Sequence, residues 1–260
     1  DWLALVDHQR GRVVGTWNVT DVMEPPANAP QDAVYVPEEK LIVVSFQKDS
    51  RKGKNKGSRL AFFDFPEMRL RADLRLPRNH PELHMQGNKK EQGPGPEIVI
   101  VSYKHQVLFA SLDLYGAVGL IDWPAARTGN SRKWQYIPSS LDGSWGEAYP
   151  DRATRFLLGD DEYVLVCNAG IKGGSILVSL RQRKIVWQAE TPAGLEAPVF
   201  VPSLKKAFSV CAGKTKKRTP SVTETVYRPQ SSVYVFDFSS PEKIRQEIVQ
   251  SVPLGEYAFK

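Results

Sequence analysis

The chain has 260 residues, 41% hydrophobic and 25% charged, with 35 Lys and Arg against 29 Asp and Glu for a net charge of +6. This is an ordinary globular balance, and no uninterrupted apolar run approaches the roughly 18 residues that a membrane helix needs, so a helical membrane span is excluded. Two cysteines, Cys167 and Cys211, are too few for a disulfide framework.

Short runs rich in Val, Ile, Leu, Phe and Tyr, punctuated by Gly, Pro, Asn and Asp, read as strands along the whole chain. Residues 3–17 supply one hairpin. A four-strand unit a, b, c, d follows at 33–36, 41–46, 59–63 and 69–76. The same order recurs at 98–101, 107–111, 117–121 and 133–137, then at 154–158, 163–167, 175–178 and 184–189. It recurs again at 199–201, 207–211, 232–236 and 244–249, with 255–259 resembling the start of another strand a. The third strand of each unit closes on Asp7, Asp64, Asp122, Ser179 and Asp237, which are 57, 58, 57 and 58 positions apart. Self-similarity at one period means a single supersecondary unit is being stacked or set in a ring. No helical periodicity of useful length appears.

Four-stranded units repeated in this way predict an all-β fold, a β-propeller of four-stranded antiparallel blades, with four complete blades plus parts of another. The hairpins Leu3-Ala4-Leu5-Val6-Asp7 through Val14, and Val34-Tyr35-Val36 through Val44, resemble the YVTN and quinoprotein-like propeller repeats. The chain departs from WD40 repeats, which carry a Gly-His to Trp-Asp signature, and from kelch repeats, since Gly173-Gly174 is its one glycine pair in such a place. Residues 1–260 read as one propeller domain. Five units at this period need roughly 290 residues, so an excerpt of a six- to eight-blade propeller is preferred over a five-blade ring, with an open β-sandwich as the competitor. The chain opens on Asp1-Trp2 without a methionine, which leaves the compartment open, secreted or periplasmic being favoured.

The residues closing strand b are Ser45, Ser111, Cys167 and Cys211, an aligned set that argues for a tight site wanting a small side chain. Equivalent positions on neighbouring blades lie beyond the Cα separation of about 4.4–6.8 Å that a disulfide requires. Two buried thiols without a catalytic role are expected.

In a propeller, the d-to-a and b-to-c connections share one face. Between b and c of the first full unit, residues 48–59 carry six basic residues, among them Lys52, Lys54 and Lys56, against Asp49. Between b and c of the fourth, residues 214–218 hold Lys214, Lys216, Lys217 and Arg218. The two segments carry +5 and +4, so the rest of the chain sums to −3. They predict a salt-sensitive field for an acidic protein or anionic glycan. Nucleic acid is disfavoured, because no aromatic residues interleave with the lysines. Between them, Trp145 and Tyr149 sit among glycines in the connection 138–150 and read as exposed recognition anchors, or as a plug between blades.

Acids stand at the entry to each strand a: Asp32, Glu97, Asp151, Glu196 and Glu256. Converging there, such carboxylates can bind a hard cation such as Ca²⁺ through oxygen. The resemblance implies that propeller lactonases place a metal at such a mouth, which makes Asp32, Glu97 and Glu196 the candidate ligands. His80 and His84 lie in a Pro-rich connection that gives no fixed geometry for a metal, and Asn18-Val19-Thr20 is a glycosylation sequon.

The expected function is a non-enzymatic binding platform without cofactor, presenting the two basic loops, Trp145 and an acidic rim. The alternative is a Ca²⁺-dependent, lactonase-like hydrolase. A quinoprotein-like dehydrogenase ranks third, since nothing marks a quinone pocket.

Overall fold

The computed structural model describes residues 2–19, 22, 28–48, 58–76, 94–143, 145, 148–170, 174–191, 194–211, 214–218, 223–227, 232–240 and 244–250. The chain begins with a two-stranded sheet, β1 (Trp2–Asp7) and β2 (Arg12–Asn18). Blade 1 is β3 (Asn28–Val36), β4 (Leu41–Lys48), β5 (Ser58–Asp64) and β6 (Arg69–Leu76). Blade 2 is β7 (Pro96–Ser102), β8 (Val107–Leu112), β9 (Ala117–Asp122) and β10 (Gln135–Pro138), with a single helical turn, α1 (Trp123–Ala126), between the last two strands. Blade 3 is β11 (Arg152–Leu158), β12 (Asp161–Asn168), β13 (Gly174–Ser179) and β14 (Lys184–Ala189). Blade 4 starts with β15 (Leu195–Val201) and β16 (Lys206–Cys211), passes through a separate hairpin of β17 (Lys214–Arg218) and β18 (Thr223–Tyr227), and ends with β19 (Ser232–Asp237) and β20 (Arg245–Gln250).

Within every blade the spatial order of the strands is their order in the chain, and all neighbours are antiparallel. The first strands of successive blades adjoin: β3 lies against β7, β7 against β11 and β11 against β15. That is radial packing around an axis. Two facing layers would instead have split alternate hairpins between two sheets, so the sandwich reading is set aside.

Side-chain alternation explains why the strands were so easily read. In β8, Leu108 and Ala110 pack toward blade 1 with Leu60 and Phe62, while Val107 and Phe109 pack toward blade 3 with Val164 and Val166. In β12 the alternate residues Leu165 and Cys167 turn on to blade 4, against Ala207 and Phe236. A middle strand is therefore apolar on both faces and forms a continuous hydrophobic run. The outermost strand β14 alternates exposed and part-buried residues instead. The smallest seam joins β1 and β2 to blade 1, with Leu3 and Trp17 on Val44, Phe46 and Phe63.

The recurring acid or serine at the end of the third strand has a local cause. Asp7 Oδ1 accepts the backbone N–H groups of Gln9 and Arg10, each at 3.1 Å. Ser179 Oγ accepts from Gln182 N at 3.0 Å, and Asp237 Oδ1 from Ser239 N at 2.8 Å. A short polar side chain folded back on the turn satisfies donors that the tight connection leaves without a strand partner. Asp64 serves the same turn through ion pairs to Arg69 and Arg71, and Asp122 pairs with Arg183 at 2.6 Å.

The serines closing strand b are explained by β-bulges. The β3–β4 register shifts between Pro30 and Ala33, and the β7–β8 register between Pro96 and Val99. The amides thrown out of the ladder are met by Ser45 Oγ, which accepts from Asp32 N at 3.0 Å, and by Ser111 Oγ, which accepts from Ile98 N at 2.9 Å. In blade 3 the β11–β12 register runs without a shift, and Cys167 stands opposite Arg152. No displaced amide needs a hydroxyl there, so a thiol is tolerated.

Two details differ from the sequence reading. Residues 212–231, read as one long loop, contain the β17–β18 hairpin. The sequence also shows no trace of α1, because one turn is too short to carry a helical period. Among the described residues no helix is long and apolar enough to cross a membrane.

Candidate functional site

The loop-bearing face, where b-to-c and d-to-a connections emerge, gathers three carboxylates between blades 2 and 3. Glu97 comes from the bulge at the start of β7. Asp113 comes from the single 3₁₀ turn Asp113–Tyr115 that links β8 to β9, and Asp151 from the residue before β11. One oxygen of each carboxylate lies within 4.8 Å of those of the other two. Asp113 is 5% and Asp151 8% exposed, and Glu97 is partly buried.

Backbone geometry sets each one. Asp113 N donates to Gly95 O at 2.9 Å, tying the 3₁₀ turn to the strand that carries Glu97. Asp151 N donates to Tyr149 O at 2.8 Å, and Ala169 N donates to the same carbonyl at 2.8 Å, so the approach to blade 3 is clamped on its second strand. Glu97 accepts a hydrogen bond from the Gln47 amide of blade 1, and its carbonyl accepts from Ser45 Oγ at 3.0 Å. Oxygen ligands so spaced, on three separate segments held by a rigid sheet, suit a hard divalent cation.

The sequence-derived ligand set is corrected accordingly. Glu97 belongs to the cluster, and Asp32 does not. Asp32 Oδ1 accepts from Ala33 N and its Oδ2 from Val99 N, both at 2.9 Å, so this carboxylate latches blade 1 onto the free edge of β7 instead of facing the channel mouth. The Glu196 side chain and Glu256 lie outside the described residues. Asp113 escaped sequence reasoning because it sits in a b-to-c turn, away from the strand-a entries where the acids recur.

The proposed anchors fare differently from one another. Tyr149 is 1% exposed and has a positive φ of 54°, so it is a buried corner of the connection and offers no surface to a partner. Trp145 is partly buried and packs on the seam between blades 1 and 2. The segment with Lys52, Lys54 and Lys56 lies outside the described residues, as do His80 and His84. Arg59, at the end of that segment, is fully buried and donates to Asp73 at 2.9 Å, so its charge is spent internally and leaves the basic surface. Lys216, Lys217 and Arg218 stand on β17, opposite Thr225, Glu224 and Thr223.

Cys167 and Cys211 are both buried and unbridged. Burial pushes the Cys167 thiol up to about 11, against hydrogen bonds from Ser175 and Ser209 that act the other way. A thiol so shifted is protonated near neutrality and is a poor nucleophile.

No family model matches the chain, and no curated protein matches it in sequence. Solved structures do resemble it in fold. Hydrazine synthase of Kuenenia stuttgartiensis matches with a TM-score of 0.58 at 13% identity, over 97% of this chain and 60% of that one. The quinohemoprotein alcohol dehydrogenase ADHIIG of Pseudomonas putida HK5 matches at 0.55 and 8%, over 95% and 50%. The periplasmic gluconolactonase of Pseudomonas aeruginosa matches at 0.53 and 14%, over 98% and 64%. The chain thus spans 50–64% of the length of these proteins. Its architecture is that of the β-propeller repeat proteins, with four four-stranded blades and part of a fifth.

Proposed function

We propose that the protein is a non-enzymatic binding platform that takes an acidic protein surface or an anionic glycan on its loop-bearing face. The observation that carries this reading is the β17–β18 hairpin. It is inserted between the second and third strands of blade 4 and, among the described residues, pairs with no blade strand. Four of the five residues of β17 are basic, and the two-residue period of a strand groups positions 214, 216 and 218 on one side. A backbone already paired in a hairpin loses less conformational entropy on binding than the same residues in a coil. Titration with polyglutamate and with polygalacturonate, at low and at moderate salt, tests the reading. Affinity is expected to fall steeply with salt, and about tenfold or more in a variant with Ser at 214, 216, 217 and 218. Salt-independent binding that survives the fourfold substitution overturns it.

The carboxylate cluster favours a second reading, a Ca²⁺-dependent hydrolase; one of the fold neighbours is a periplasmic gluconolactonase. Among the described residues, Glu97, Asp113 and Asp151 would hold the ion, with Asp32 outside the set. Bound Ca²⁺ supplies a Lewis acid for an ester carbonyl. A ligand that binds only the folded state raises the melting temperature. Millimolar Ca²⁺ is therefore expected to stabilise the protein, and Asp113→Asn to abolish the shift; an unchanged melting temperature in the unmodified protein removes this reading.

A further inference from the structure

The opposite face, formed by the a-to-b turns, carries a cavity of about 500 Å³ between blades 1, 2 and 3. It lies within the size range of small-molecule pockets. Its floor is apolar, from Val34 and Val36 on β3 and Val99 and Val101 on β7, and its rim carries Tyr35 and Tyr103. Tyr103 is 40% exposed, whereas the Tyr35 ring packs edge-on against Phe65 at 5.1 Å, on the side of β3 away from Val34 and Val36.

One wall carries a positioned cation. Arg155, on β11, donates Nη1 to Val101 O at 2.7 Å and thereby crosses from blade 3 to the free edge of blade 2. Glu162 Oε1 is 3.9 Å from the same nitrogen, near enough to orient the guanidinium and too far for a hydrogen bond. Glu162 is itself 9% exposed and accepts from Ser102 Oγ with its other oxygen. Among the described residues no acceptor meets Arg155 Nε or Nη2, and the side chain is 46% exposed. Lys104 adds a second positive charge at the rim, its Nζ anchored on Asp160 O at 2.7 Å. Glu38 is solvent-exposed in the turn beside it.

We propose that this cavity binds a carboxylate carried on an apolar body, with Arg155 as the partner of the carboxylate. The guanidinium fork matches a carboxylate in two parallel hydrogen bonds, and the valine floor and Tyr103 receive the remainder. A free small organic acid and the C-terminus of a peptide share this chemistry. The site lies on the face opposite the basic hairpin and does not depend on it.

Calorimetric titration of the full chain with phenylacetate, phenylacetamide and acetyl-glycyl-phenylalanine tests the proposal. At least one of the two acids is expected to bind, with the amide about tenfold weaker or more. Tighter binding of phenylacetate assigns the free acid, and tighter binding of the dipeptide assigns a chain terminus. Arg155→Met is expected to erase the difference between acid and amide. Because Arg155 also ties two blades together, Tyr103→Ala serves as the second variant: it keeps the latch and is expected to weaken acid and amide alike by several-fold. Equal affinity for acid and amide in the unmodified protein, or no binding of either acid at about 10 mM, overturns the proposal. The variant with Ser at 214, 216, 217 and 218 is expected to bind the acid unchanged, so failure here is distinguishable from failure of the platform reading.

Discussion

The two faces of this propeller are built on different terms. On the turn face, tight turns tied by their own side chains recur, with residues 123–134 of blade 2, which carry α1, as a longer connection. Asp7, Ser179 and Asp237 fold back on their turns, and Glu39 in the first a-to-b turn accepts from Trp123 Nε1 and Arg127 Nη1, each at 2.7 Å, across the seam to blade 2. On the loop face, the b-to-c connections differ in length and form from blade to blade: a short 3₁₀ turn in blade 2, an inserted hairpin in blade 4. The blades repeat because packing requires it, and the loop face varies because packing asks little of it.

The largest test of this contrast is to remove one tryptophan from each face. Trp123 is fully buried and lies 5.9 Å, ring to ring, from Phe62. Trp123→Ala is expected to cost about 3–5 kcal/mol in urea-induced unfolding. Trp145→Ala, which removes a partly buried ring on the loop face, is expected to cost less than half of that. Equal losses would show that the loop face is as deeply integrated as the turn face.

Next in size is the Asp32 latch. Asp32→Ala leaves the Val99 amide without its acceptor, and a loss of about 1–3 kcal/mol is expected in the same measurement. Asp32→Asn, whose one oxygen can meet Val99 N while its NH₂ then faces the Ala33 N–H, is expected to recover only part of it.

The Glu39 staple is read through pH. Burial alone raises the Glu39 carboxyl, but the hydrogen bonds from Arg127 and Trp123 and the charges of Arg127 and Arg71 outweigh it and hold it below its ordinary 4.5. A carboxyl that is more acidic in the folded state stabilises the fold at pH values above its unfolded value, and that contribution is lost as pH falls through the folded value. Glu39→Gln is therefore expected to be less stable than the unmodified protein near pH 7, with the difference shrinking below about pH 4.5. A difference that stays constant across that range would show the staple to be steric.

The smallest effect concerns Cys167. With its thiol held up to about 11 by burial, native protein at pH 8 is expected to leave Cys167 unmodified by iodoacetamide, and full labelling is expected only after denaturation. Labelling in the native state would place blade 3 among the parts that open.

Much of the fold was legible because its causes are local or periodic. Strands such as β8 and β13 read as unbroken apolar runs because both of their faces are covered by neighbouring blades. The closing Asp and Ser were legible because a short polar side chain caps the turn that follows. The aligned Ser45 and Ser111 showed a common site, though the bulged amides they satisfy became visible only in the register. The site was legible in two residues, Glu97 and Asp151, both among the acids at the strand-a entries. Asp113 was hidden in a three-residue turn, Tyr149 looked exposed among glycines and polar neighbours, and Arg59 looked like one more surface charge in a basic run.

By itself, the order of residues determined the blade: four apolar strands, their turns and their period, since each follows from backbone propensity and alternation along a short stretch of chain. Only tertiary structure decided which side chains meet across blades. Glu97, Asp113 and Asp151 converge, and Asp32 turns away to a neighbouring strand edge. Arg155 reaches the wall of a cavity that three blades share. Such meetings depend on the rotation between successive sheets and on bulges that shift a side chain by one position, and neither is encoded within any one repeat.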